Sequence, residues 1–198
     1  MRSASARSAR DAIAVSALSL FGQQGIDATS LREVAAAAGV SPALVVHHFG
    51  GKDGLLAATD EAALKAFGSA YGSDQGPGTP AELLDRRAEQ TARVMREHPD
   101  LCAYLGRALV ERTPGATRLF GAMIEGGRKE IDALAERGAL RADVDRLWAT
   151  LQHFFLIWAP LSFMPLLDDA LDGRLLDAEN LDRWVSANAE LLERGIYR

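Results

Sequence analysis

Residues 30–49, SLREVAAAAGVSPALVVHHF, constrain this chain more than any other stretch, because they spell two short helices joined by a tight turn. Ser30 and Glu33 have the spacing of a capping box, in which side chain and backbone satisfy each other's free amides across the first turn. A helix therefore starts near Leu31. Val34 and Ala35 are small enough for close packing, Ala36 to Ala38 favour helix, and Gly39 tolerates the left-handed geometry that ends one. After a turn over 39–41, Ser41 is placed to cap a second helix, with Pro42 at its first position, where no amide partner is needed. Two capped helices separated by about three residues form a helix-turn-helix, whose second helix fits a major groove while the first crosses the DNA backbone. Duplex DNA is the leading candidate partner.

Net charge alone does not suggest DNA. The 198 residues carry a formal charge of -5, but of 22 basic and 27 acidic side chains only five and four lie in residues 1–58, so the acidity resides in the body. Cys102 is the only cysteine, which excludes an intrachain disulfide and a multi-cysteine zinc site and fits a cytoplasmic protein. The opening MRSASARSARDA lacks the apolar run of a secretion signal. The most apolar segment, residues 154–167, contains two prolines and is shorter than the roughly 20 residues of a membrane helix. It is expected to be a buried helix followed by a packed connection, and no membrane partner is expected.

The fold class expected is all-α. Residues 1–7 are expected to form an arm. Ala9, Ile13, Ala17, Leu20 and Phe21 recur at helical spacing between Arg7 and Gln24, giving a helix that covers the open face of the two-helix unit. The candidate trihelical core is Ile13, Ala17, Leu20, Phe21, Leu31, Val34, Ala35, Val40, Val45 and Phe49. A longer helix should run from Lys52 to about Tyr71, lined by Leu55, Leu56, Thr59, Ala63 and Phe67. The Gly- and Pro-rich 73–80 is a loop. Leu83, Leu84, Ala88, Thr91, Ala92, Val94 and Met95 mark the next helix, and others follow over 101–110, 116–134, 147–159 and 181–192. The apolar residues of 147–159 surround most of its circumference, so it should be covered on several sides. Leu181, Trp184, Val185, Asn188, Leu191 and Leu192 form a narrower stripe. Either both helices are internal, or Leu147 and Leu151 join that stripe in a four-helix interface with a second copy; a two-headed DNA reader favours the dimer.

Residues 12–56 resemble the DNA-binding domain of the TetR family of transcriptional regulators. The resemblance rests on Leu20-Phe21, Gly25, Thr29-Ser30, Val34-Ala35, Ala38-Gly39-Val40-Ser41 and His48-Phe49 followed by Lys52 and Leu55. It implies a DNA-binding domain over 7–51 joined to a helical effector-binding and dimerisation domain over 52–198. It also implies a homodimer, most commonly a repressor, whose operator binding is controlled by a small organic effector. The family often has glycine at the position of Ala43 and, at that of Val46, a tyrosine that contacts the DNA backbone; valine has no hydroxyl for this.

The residues expected to meet DNA are Thr29, Ser30, Ser41 and Lys52 on phosphates, where helix-start amides and positive charge favour anions, Pro42, Ala43 and Leu44 in the groove, and His47 on a base edge or a phosphate, with ordinary exposed helix surface as its alternative. Leu44 faces either a thymine methyl or the trihelical interior. His48 is the packing histidine of the pattern. Arg2, Arg7 and Arg10 either extend the phosphate surface or are solvated.

In the body, Phe67, Met95, Tyr104, Phe120, Met123, His153, Phe154 and Trp158 are the candidates for an apolar effector site, with Tyr104, His153, Gln152 or Arg118 supplying polarity; packed core is the alternative. The histidines at 47, 48, 98 and 153 have no metal-site spacing, and no phosphate-binding, hydrolase-elbow or dinucleotide motif is present. No enzyme activity, cofactor or metal is expected. The alternative function is a helical protein-interaction module with weak or no DNA binding.

Overall fold

The computed structural model describes residues 2–71 and 80–196. Among them are ten helices: α1 (Arg2–Gln24), α2 (Leu31–Ala37), α3 (Pro42–Phe49), α4 (Lys52–Tyr71), α5 (Pro80–Glu97), α6 (Pro99–Glu111), α7 (Pro114–Glu136), α8 (Arg146–Ser162), α9 (Met164–Ala170) and α10 (Ala178–Gly195). The fold is all-α. The loop expected before Pro80 lies outside the described residues, as do the side chains of Arg2, Arg7, Leu83, Leu84 and Ala88. The chain separates into two compact units, one of residues 1–69 with 100–118 and one of residues 70–99 with 119–198.

In the first unit α2 packs on α3, and α1 packs on both. Ile13, Ala17 and Phe21, one helical turn apart on α1, are fully buried, as are Val34, Val45 and Leu55, with Ala35 and Phe49 almost so. Each large apolar side chain buried here contributes about 1.5–3 kcal/mol. The expected arm is absent: α1 is helical from Arg2. After α2, Gly39 takes φ +66°. The Val40 N–H then bonds the Ala35 carbonyl at 2.9 Å and the Gly39 N–H bonds that of Ala36 at 3.2 Å, the paired bonds of a Schellman stop. Gly54 seats the first turn of α4 against α3, because a Cβ there would overlap the Phe49 carbonyl.

Helix α6 belongs to this unit as well. A Cβ on Gly22 would lie 2.8 Å from the Tyr104 amide nitrogen, so α1 and α6 meet backbone to backbone. Glu111 at the end of α6 accepts the Ile26 N–H at 3.3 Å, holding the loop between α1 and α2. Asp60 of α4 is buried and accepts from the Tyr104 hydroxyl at 2.8 Å, the Thr113 hydroxyl at 2.9 Å and the Gly115 N–H at 2.8 Å. A buried carboxylate is tolerated where donors converge on it like this.

The second unit is built on Ile131 and Leu134 of α7, Leu140 beyond it, Ala149 of α8, and Leu192 and Ile196 at the end of α10. Helix α10 packs on α5, with Arg96 and Asp182 paired at 3.4 Å on the exposed side. Helix α7 runs unbroken through Gly126 and Gly127. At Gly127 a Cβ would come within 3.0 Å of the Thr150 methyl, so this glycine permits close packing and not a bend. Helix α8 continues through Pro160 to Ser162. The packed connection expected after it is instead a short helix, α9, with Pro165 at its start, no buried residue, Leu166 exposed within it and Phe163 exposed just before it. No single described helix is long and apolar enough to cross a membrane; α8 and α9 reach that length and composition only as a pair bent by 79°.

Candidate nucleic-acid interface

The caps expected from the sequence are formed. Ser30 Oγ accepts the Glu33 N–H at 3.2 Å, and Glu33 accepts the Ser30 N–H at 2.7 Å. Hydrogen bonds donated to the Glu33 carboxyl by the Ser30 side chain first, and by its backbone N–H second, lower the Glu33 pKa from its ordinary value. Ser41 Oγ accepts the Leu44 N–H at 3.3 Å. Both serines are exposed, and Ser41 keeps a hydroxyl proton to donate.

On α3, Pro42, Ala43, Val46 and His47 are exposed, Val45 and Phe49 are buried, and Leu44 and His48 lie between. At about 100° per residue the four exposed positions span one arc of about 140°, with Val46 and Ala43 at its middle. Leu44 lies beyond the edge of that arc. His48 packs edge-on against His47 and Phe49, with ring centroids 5.5 Å and 6.3 Å away, and its Nε2 is buried without a hydrogen-bond partner.

Two expected phosphate contacts stand differently. Thr29 is 1% exposed; its hydroxyl donates to the Gly25 carbonyl at 2.7 Å and accepts from Gln24 at 3.2 Å, so it holds the loop from inside. Its side chain has no open surface to offer a phosphate. Lys52 is half-buried and donates to the Asp27 carbonyl at 2.9 Å, which leaves two of its three protons available. Arg10 is exposed, with its guanidinium 5.2 Å from the Phe49 ring centroid. Sequence reasoning passed over Arg32, an exposed cation in the first turn of α2, and treated Val46 as a loss when it lies at the centre of the exposed arc.

Residues 13–59 match the model of the bacterial regulatory proteins of the tetR family. Residues 13–59 therefore resemble the DNA-binding segment of tetR-family regulators. It is similar to the HTH-type transcriptional regulatory protein RaaS of Mycobacterium tuberculosis, at 32% identity over 129 residues that cover 65% of this chain and 58% of that protein. It is also similar to the HTH-type transcriptional regulator BetI of Rhizobium meliloti, at 36% identity over 95 residues covering 48% and 47%. The chain thus spans about half the length of these relatives. The likeness of fold extends further: a TetR transcriptional regulator from Chloroflexus aurantiacus superposes with TM-score 0.72 at 19% identity, covering 100% of this chain and 99% of that one.

The remaining candidates are placed as follows. Phe67 and Tyr104 are buried in the first unit, and the Tyr104 hydroxyl is committed to Asp60. Met95, Phe120, Met123, His153, Phe154 and Trp158 belong to the second. Of these, Phe154 meets the Phe120 ring edge-on at 4.9 Å between centroids and stacks on Trp158 at 6.0 Å. His153 Nδ1 lies 2.7 Å from the Ala149 carbonyl. An open hollow of about 220 Å³ lies elsewhere in this unit, lined by Arg141, Asp143, Trp148 and Gln152 among others and by none of the eight aromatic, sulfur or histidine candidates. Among the described residues no group of three or more His, Cys, Asp or Glu is placed to hold a metal ion.

The stripe assigned to a dimer face divides. Leu181 is fully buried and Leu192 is 7% exposed within the core, which corrects their placement on an outer face. Leu191 and Leu147 are exposed, Trp184, Val185, Leu151 and Asn188 are half-buried, and the exposed surface also includes Trp148 and Phe155, which the sequence did not single out as interface.

Proposed function

We propose that this chain is a sequence-specific DNA-binding transcriptional regulator acting as a homodimer on a pseudopalindromic operator, most simply a ligand-responsive repressor. TetR-family regulators are typically of this kind. The observation that carries the reading is the exposed face of α3, presented by a capped helix-turn-helix whose opposite side is buried. Residues 7–51 would read DNA, with Pro42, Ala43, Val46 and His47 in the groove and Ser30, Ser41, Arg32 and Lys52 on phosphates. Residues 52–198 would dimerise and sense.

The apolar surface of Leu147, Trp148, Leu151 and Phe155 on α8, with Leu191 on α10, supports association of two copies. The Phe120, Phe154 and Trp158 cluster supports a small organic effector of aromatic or aliphatic character. A coupled effector must bind less tightly when operator is bound, because linkage is reciprocal.

The test is selection of bound sites from a random duplex pool by the purified full chain at fixed salt. Enrichment of a pseudopalindrome, with an affinity that falls steeply with salt, is expected. A folded protein that enriches no sequence would instead be a protein-interaction module, the reading that the missing hydroxyl at Val46 favours.

A further inference from the structure

We infer that this regulator reads its operator chiefly through thymine C5-methyl groups, and that Val46 is the residue that does so. The inference rests on the DNA-binding reading and names what its recognition helix recognises. Side chains that bond bases in pairs are Arg or Lys on guanine and Asn or Gln on adenine, and α3, PALVVHHF, contains none of them. Of its two histidines, His48 is turned inward with Nε2 buried. That leaves His47 as the one hydrogen-bonding side chain on the exposed arc of α3.

The rest of that arc is Pro42, Ala43 and Val46, all uncharged and aliphatic, with Val46 47% exposed at its centre. Within the major groove the one base substituent that matches such a surface is the thymine methyl. A valine projecting from the middle of the face, beside an alanine that lets the helix approach closely, has two methyls to lay against it. Leu44, the residue the sequence suggested for this contact, lies beyond the edge of the arc and is partly buried. The half-site should therefore contain one hydrogen-bonded base pair, read by His47, flanked by thymines read by shape.

The experiment starts from the selected operator and replaces each half-site thymine in turn by deoxyuridine, which removes the methyl and keeps the base pair. At one or two positions binding should weaken about fourfold per methyl, the transfer free energy of one buried methylene. Val46→Ala should lose affinity for the thymine operator and become indifferent to deoxyuridine there. His47→Ala should lose affinity while keeping the preference for thymine. At the same position, 5-methylcytosine should bind better than cytosine. Val46 is exposed, so its variant should fold, and circular dichroism will verify this. An enriched operator that tolerates deoxyuridine at every position, or a Val46→Ala variant that keeps the full thymine preference, overturns the inference while leaving the DNA-binding reading intact. A pool with no enriched sequence overturns both.

Discussion

Asn188 on α10 donates its side-chain N–H to the Leu156 carbonyl on α8 at 3.3 Å, and Leu156 is the residue whose helical partner is Pro160. Proline has no N–H, so the helix leaves that oxygen unpaired and a side chain from another helix supplies the bond. Asn188 is thus an internal tie between α8 and α10, whatever else its half-exposed surface meets.

A double-mutant cycle tests the tie. Asn188→Ala should cost about 1–3 kcal/mol by urea unfolding, the penalty of an unsatisfied carbonyl in a partly dry site. Pro160→Ala restores the helical N–H. In that background the Asn188→Ala cost should fall toward zero, and an equal cost in both backgrounds would contradict the pairing.

Burial raises the Tyr104 hydroxyl pKa above its ordinary value, with the Asp60 hydrogen bond adding to it, and burial pushes the Cys102 thiol up to about 12. Both groups hold their protons more tightly folded than unfolded. Between the unfolded and folded pKa values the unfolded chain binds fewer protons, so stability falls as pH rises. The contribution is fully present below the unfolded values, near pH 9 for the thiol and about 10 for the phenol. Unfolding free energy measured from pH 7 to 11 should therefore decline above pH 9, by up to about 1.4 kcal/mol per pH unit for each group. Cys102→Ala should remove the part that begins near pH 9, and Tyr104→Phe the part above about pH 10. A flat profile in the unmodified chain would contradict both.

What the sequence disclosed follows the range of the interactions involved. The capping box at Ser30 and Glu33, the left-handed stop at Gly39 and the buried turn-spaced trio Ile13, Ala17 and Phe21 are local, and the fold of the helix-turn-helix was legible from them. Thr29 was misjudged because a loop turned back onto Gly25 buries it, and nothing in its neighbours' types announces that. Tyr104 looked like ligand-pocket material because its partner, Asp60, is 44 residues away. The α9 start was visible in principle, since Pro165 sits where a first turn tolerates proline.

Thr29 offers a direct separation of fold from contact. Thr29→Val keeps the shape and deletes the hydroxyl, leaving the Gly25 carbonyl without its donor, and should cost about 1–3 kcal/mol of stability. Thr29→Ser keeps the bond and should retain operator affinity to within about twofold, against the tenfold that 1.4 kcal/mol represents. If Thr29→Ser weakened DNA binding strongly without loss of stability, the threonine would be meeting DNA after all.

Leu181 and Leu191 share one apolar stripe in sequence but stand on opposite sides of the question of what α10 faces. The stripe is wide enough to hold two faces: Leu181 and Leu192 turn into the core, while Leu191 is 60% exposed. Leu181→Ala should destabilise the fold by about 2–5 kcal/mol, the range for emptying a packed leucine site. Leu191→Glu should change the stability of the single chain by no more than about 0.5 kcal/mol, as surface substitutions do. If α8 and α10 join two copies, the same change should place a charge in that interface and shift the protein to monomer in sedimentation velocity. Operator affinity should fall with it, since two half-sites are held only by two heads. A Leu191→Glu protein that remains dimeric would move the interface off this face and leave Leu147, Trp148 and Phe155 as the surface to test next.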